Sequence, residues 1–426
     1  MKYKAISSQL FIENRKKLAK EIPSGGMAIF HSNWETPRNG DAFFSFRQQS
    51  DLFYLTGVDQ EDTVLVMFPD CPNPQFREFI FVKETNEKIA VWDGAKLNQN
   101  QVFETSGILS VFWYQDLWST LHAVILMAEN IWVNLNENDR FTSTVPYSNL
   151  WLTNELKSRY PAHNFKRIAP KLSRLRMQKS KLEINLLKEA ISITNKGLIR
   201  ALKFIKPGIM EYELEAEIIH EFVRNGSKGF SFDPIVASGS SACVLHYIEN
   251  NKICNDGDLL LLDFGAEYAN YNGDCTRCFP VNGRFSKRQK EVYDAVLDVH
   301  NYAKSILKPG SLLPDYHAQV GNYTNEKLVE LGLFSTQEIK DNPKSYLKYF
   351  MHGTSHHLGL DVHDVMHRFE PIPENSVLTI EPGIYIPAEG IGVRIENDVW
   401  LNDGQVIDLM EDFPIETEEI ESVMNS

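Results

Sequence analysis

Four acidic residues and one histidine in the C-terminal half of the chain have the types and spacing of a site for divalent cations. Asp263 ends the apolar run Asp258-Leu-Leu-Leu-Leu-Asp263, and Asp274 follows the turn-like segment Asn270-Tyr-Asn-Gly273. This pattern predicts two adjacent strands that carry their carboxylates side by side. Glu381, within Thr379-Ile-Glu-Pro-Gly, and Glu396, within Gly392-Val-Arg-Ile-Glu, repeat the arrangement, with strands joined through Pro387 and Gly390. Carboxylates held that close repel one another, so one must stay protonated or a cation must lie between them. Burying an unpaired carboxylate is costly, which favours the cation. Taken singly, each acid could cap a turn or pair with a surface base. Four acids in matching strand contexts point to metal instead.

The segment Met351–His367 holds His352, His356, His357, His363 and His367, five of the twelve histidines of the chain. Imidazole is both a metal ligand and a proton carrier near neutral pH. His352 and His356 are four residues apart, yet no glutamate follows His352, so the zinc-protease pattern H-E-x-x-H is absent. A different metal chemistry is implied. An isolated histidine is ordinarily a satisfied structural residue, and His300, His357 and His367 are read that way.

The elements that must position these residues follow from the flanking pattern. An amphipathic helix with Leu187, Ile191, Leu198, Leu202 and Ile205 on one face runs to Lys206-Pro-Gly, and a second helical stretch ends in Lys308-Pro-Gly. Asp258–Gly265 and Ser376–Gly383 are both apolar strands that end in acid-x-Gly. The C-terminal region therefore reads as an internal duplication whose equivalent strand ends meet at one seam. Up to about Ile168, the runs Val64–Phe68, Phe79–Val82 and Ile131–Val133 alternate with helical patterns. The predicted fold class is α/β (α+β), with an N-terminal α/β domain over 1–172 and a larger domain over 173–426. Their boundary falls near residues 169 to 180, around the basic stretch that begins at Lys171.

With 43 basic and 57 acidic side chains the net charge is −14, so no basic face for a nucleic acid is expected. Much of the acid is solvated surface. The N-terminus has no apolar signal core, and Ala123–Ala128, the longest apolar run of interest, is far short of a membrane span. Cys71, Cys243, Cys254, Cys275 and Cys278 are odd in number, which fits reduced thiols in the cytoplasm. Cys275-Thr-Arg-Cys278 lies inside a β-like stretch, the wrong context for a redox pair.

In order and spacing, Asp263, Asp274, His356, Glu381 and Glu396 resemble the five ligands of the Xaa-Pro aminopeptidase and prolidase family. The context H-G-x-S-H-x-L-G-L-D-V-H-D, from His352 to Asp364, is similar to the aminopeptidase P branch, as is Phe46–Gly57 to its N-terminal domain. The resemblance implies a pita-bread catalytic domain with pseudo-two-fold symmetry and two divalent cations per subunit. Asp274 and Glu396 would bridge both ions, Asp263 and Glu381 would each serve mainly one side, and His356 would complete one shell. Such an oxygen-rich set suits Mn2+, with Zn2+, Co2+ or Fe2+ as alternatives.

By the same resemblance, His246, His352 and His363 line the substrate pocket. His246 and His363 would handle hydrogen bonds and protons around the tetrahedral intermediate, and His352 would shape the proline subsite. Glu381 doubles as proton shuttle, Arg394 orients a carboxylate ligand, and Tyr385 borders the pocket or belongs to the core. The implied substrates are peptides with proline in second position. A prolidase restricted to Xaa-Pro dipeptides is the alternative, and a non-enzymatic binding protein on the same fold is the remote one. A homodimer or homotetramer is also implied, with Trp92 either reaching a neighbouring site or packing in the core.

Overall fold

The computed structural model describes residues 2–138 and 140–426. Contacts divide the chain into two compact units, Lys4–Arg176 and Met177–Ser426, the second taking in the first residues through Tyr3.

In the N-terminal unit the strands are β1 (Gly26–His31), β2 (Pro37–Asn39), β3 (Ala42–Phe43), β4 (Val64–Met67), β5 (Glu78–Val82), β6 (Ser110–Trp113), β7 (Asn130–Val133) and β8 (Asn164–Arg167). Six of them form one mixed sheet in the order β6-β5-β4-β1-β7-β8, while β2 and β3 make a separate hairpin. The apolar runs read from the sequence are β4, β5 and β7. They are apolar throughout because both faces of the central strands are buried, with Met27, Ile29, Val66, Phe79, Phe81 and Ile131 in the core.

The second unit repeats one pattern of elements. Its first half has the helices Lys181–Phe204 and Glu211–Arg224, followed by β9 (Ile235–Ser238), β10 (Leu259–Phe264), β11 (Glu267–Tyr268), β12 (Tyr271–Asn272) and β13 (Cys275–Pro280). The other half has the helices Lys287–Ile306 and Leu313–Glu330, then β14 (Val377–Ile380), β15 (Gly383–Ile386), β16 (Ile391–Arg394), β17 (Asn397–Asn402) and β18 (Gln405–Asp408). Helix Lys181–Phe204 starts at a capping box, in which Ser180 and Glu183 satisfy each other's backbone N–H groups. It buries Leu187, Ile191, Leu198 and Leu202 as its periodicity requires.

The strand pairs that carry the acids are interrupted, which the sequence reading did not foresee. β10 pairs with β13 and β14 with β17, but each outer pair gives way to a short second hairpin, β11-β12 or β15-β16. The tight turn lies at Ala269 and Asn270, both at positive φ, rather than over Asn270–Gly273. The acids sit at or beside these breaks. Glu381 follows the last residue of β14 and Glu396 precedes the first of β17.

The acid-x-Gly repeat acquires a steric reason here. A Cβ on Gly265 would lie 1.7 Å from the carbonyl oxygen of Gly273, and one on Gly383 would meet the Tyr385 hydroxyl at 2.7 Å and the Val393 carbonyl at 2.9 Å. Gly265→Ala should destabilise the protein by about 2 kcal/mol, because rigid backbone must give way. Thermal unfolding would read this as a midpoint several degrees lower, and an unchanged midpoint would contradict the crowding.

Candidate metal centre

Strand period two sets the faces on which the acids lie. Asp263 is paired across the ladder with Thr276, and Asp274 lies two residues before Thr276, so all three share one region of the β10-β13 pair. From the second half, Glu396 N–H donates to Thr276 O at 3.1 Å, which stitches the two halves together at this point. Glu381 N–H donates to Thr354 O at 2.8 Å, bringing in the histidine-rich segment.

Asp274, His356 and Glu396 offer ligand atoms that all lie within 4.8 Å of one another, and all three residues are buried. Glu381 Oε1 lies 3.8 Å from His356 Nε2 on the more open side of this group. Asp263 directs one oxygen to Arg394 Nη2 at 2.5 Å, while its other oxygen is buried without a protein partner. The closest grouping thus contains three of the five expected ligands, with Glu381 and Asp263 at its border.

The tautomer of His356 bears on whether a cation fits. Its Nδ1 lies 3.0 Å from His357 O, and a carbonyl can only accept, so Nδ1 carries the proton. With Nε2 free of a proton, as ligation requires, its lone pair faces Asp274 Oδ2 at 3.4 Å and Glu381 Oε1 at 3.8 Å. Three acceptors facing one another are repulsive unless a positive charge lies between them, and oxygen with imidazole donors suits a divalent metal. The residues therefore fit the ions.

The acids titrate as this crowding demands. Burial, then the charge of Asp263, holds Asp274 well above the usual carboxylate range, and burial, then Asp274, does the same to Glu396. Burial raises Glu381 to about 7. Without a cation, these groups resist ionising together.

A hydrogen-bonded chain links this group to a partly buried histidine. Arg394 donates through Nη1 to the Tyr385 hydroxyl at 2.7 Å, through Nη2 to Asp263, and through Nε to Thr276 Oγ1 at 3.1 Å. Burial, then Arg394, lowers the pKa of His352 to about 3, so its ring is neutral. His352 Nδ1 donates to Gly353 O at 2.9 Å, which leaves Nε2 to accept from the Tyr385 hydroxyl at 2.7 Å. Tyr385 is buried, as the core reading expects, and its hydroxyl joins Arg394 to His352.

His363 is exposed, with its ring centroid 4.5 Å from that of His356 and the planes nearly perpendicular. His246 is exposed in the turn after the short 3-10 helix Gly239–Cys243, close enough to contribute to the depressed pKa of His352. His300 and His357 are buried, and burial lowers each to about 3, as befits neutral structural residues. Trp92 is 89% exposed, which removes the core reading. All five cysteines are free; Cys275 and Cys278 are buried in β13, and burial pushes Cys278 up to about 12, far from a reactive thiolate.

Sequence reasoning missed three residues. Thr276 donates to Glu396 Oε2 at 2.6 Å while accepting from Arg394. Asp398 is fully buried and accepts the Asp274 N–H at 3.1 Å, and burial, then Asp274, raises its pKa. His317 Nδ1 shares a hydrogen bond with Thr354 Oγ1 at 2.8 Å, behind the histidine segment. Thr276 and Asp398 stand two residues after Asp274 and Glu396, so period two was the available signal.

Duplicated halves, a seam of buried acids and a histidine-rich segment define a metallopeptidase of the pita-bread class. The description Metallopeptidase family M24 matches residues 185–403, Aminopeptidase P, N-terminal domain matches residues 11–132, and the chain belongs to family M24. It is 32% identical to the Xaa-Pro aminopeptidase of Haemophilus influenzae over 431 residues, covering 97% of each chain. To the Xaa-Pro aminopeptidase of Escherichia coli it is 32% identical over 442 residues, covering 98% of each. The solved aminopeptidase P from E. coli with the inhibitor Pro-Leu superposes with a TM-score of 0.89 at 31% identity, covering 99% of both chains. No helix among the described residues is long and apolar enough to cross a membrane.

Proposed function

We propose that this protein removes the first residue from peptides whose second residue is proline. The observation that carries the reading is the buried Asp274–His356–Glu396 group, in a chain related end to end to Xaa-Pro aminopeptidases. Asp263, Asp274, His356, Glu381 and Glu396 would hold two divalent cations, Mn2+ first among the candidates. When bound, such ions supply Lewis acidity toward the scissile carbonyl and a water acidic enough to attack at neutral pH.

The chain's own side chains do the rest. Glu381, on the more open side of the group, would take a proton from the attacking water and return it to the proline nitrogen. His246 and His363, both exposed, would donate hydrogen bonds to the tetrahedral intermediate. His352, fixed as a neutral ring by Gly353 and Tyr385, would form a wall of the proline subsite. Arg394 holds Asp263 in place and, through Tyr385, ties it to that wall. Association into a dimer or tetramer and residence in the cytoplasm belong to the same reading.

Protein loaded with Mn2+ should release the first residue from an Xaa-Pro-Yaa tripeptide. No release above a Glu381→Ala control would defeat the assignment. Release confined to Xaa-Pro dipeptides would make the protein a prolidase instead.

A further inference from the structure

His363 sits on a segment with little regular structure of its own. Residues 351–376 contain no helix and no strand, apart from one isolated bridge between His357 and Leu378. A side chain that must meet a reaction intermediate needs placement within about half an ångström, which a bare loop does not provide.

The next residue supplies an anchor. Lys179 Nζ donates to Asp364 Oδ2 at 2.8 Å, and both side chains are 1% exposed. Asp364 N–H donates to His357 O at 2.8 Å, while Lys179 N–H donates to Asn375 O at 2.8 Å, near the other end of the segment. Gly359 is shaped around the pair: a Cβ there would lie 2.3 Å from Asp364 Oδ2 and 3.0 Å from Lys179 Cε. Asn272 donates both its backbone N–H and its side-chain Nδ2 to Gly359 O at 3.0 Å. The ion pair therefore joins the residues before helix Lys181–Phe204 to the histidine segment, and Asn272 of the β11-β12 hairpin holds the same segment at Gly359.

An ion pair fully withdrawn from water is seldom a net gain in stability over well-packed apolar side chains, because desolvation offsets the attraction. What it does provide is a unique geometry. We propose that Lys179 and Asp364 form a positioning pair for His363, holding its imidazole against His356 in the orientation the reaction needs. The role for His363 rests on the functional reading above, whereas the placement of its ring does not.

The test replaces the pair with apolar side chains, Lys179→Met with Asp364→Leu, in the full Mn2+-loaded protein. With an Xaa-Pro-Yaa substrate, kcat should fall about tenfold to a hundredfold, with KM within about twofold and metal content unchanged. In a His363→Ala background the same replacement should change kcat by less than about twofold, because the residue being positioned is gone. An equal loss in both backgrounds, or no loss with His363 present, overturns the proposal. Should the double replacement fail to fold, Asp364→Asn takes its place in the same cycle, with a loss of about threefold expected only when His363 is present.

A crystal structure of the folding-competent variant gives a readout independent of substrate. The His363 ring should move away from its 4.5 Å contact with His356, and an unmoved ring overturns the proposal. If the unaltered protein releases no first residue while the ring moves as expected, the functional reading fails and the positioning pair stands.

Discussion

Glu396→Ala should lower kcat by at least about a thousandfold and cost the protein much of its bound metal. Glu396 is buried, accepts the Thr276 hydroxyl, and belongs to the close Asp274–His356–Glu396 group. In the proposed arrangement it would help to hold the cations, so its loss weakens metal binding. The effect on stability should run the other way. Glu396 is held above its usual range by burial and then by Asp274, Glu381 and Asp263, so its removal relieves repulsion in the metal-free fold. The variant stripped of metal should therefore unfold at a higher temperature than the parent stripped of metal. Metal analysis, kcat and paired thermal melts check the three parts. Two bound ions and a parental kcat in the variant would remove Glu396 from the centre.

Metal removal should make stability fall with rising pH across a window set by Glu381. Its carboxyl is raised from 4.5 to about 7 in the fold, chiefly by burial. A raised acid favours the fold when protonated, so this contribution is fully present below about 4.5 and is lost as pH rises through about 7. At 1.36 kcal/mol per pKa unit the loss from Glu381 alone is about 3 kcal/mol. Asp274 and Glu396 are raised as well and add to it in the same direction. With divalent metal bound the carboxylates are compensated, and the fall should flatten or vanish. Chemical denaturation at pH 5 and pH 8, with chelator and with Mn2+, measures this. Equal stabilities at both pH values in chelator would show that the acids are not crowded in solution.

The catalytic region was legible where chemistry and periodicity coincide within short stretches. Asp263 and Glu381 could be found because each ends an apolar run, and the histidine segment because its density is out of proportion to the composition. The repeated Pro-Gly and acid-x-Gly pattern anticipated the duplicated order of helices and strands that the second unit shows. The breaks that give way to β11-β12 and β15-β16 were not legible, because alternating apolar residues continue through them, and the close backbone approach that only glycine permits at Gly265 is a tertiary feature. Arg394 and Tyr385 could be named from their neighbourhood. Which atoms they join could not.

Residue types and local spacing by themselves marked the acids and the histidine-rich segment as candidates for metal, since ligand chemistry belongs to the side chain and strand period to a few consecutive residues. Tertiary structure alone decided how those side chains are held. Thr276 reaches Glu396 across 120 residues of sequence, Arg394 reaches Asp263 across 131, and Lys179 reaches Asp364 across 185. Contacts at such separations leave no periodic trace in the sequence, because each is set by how distant elements pack rather than by the residues beside it.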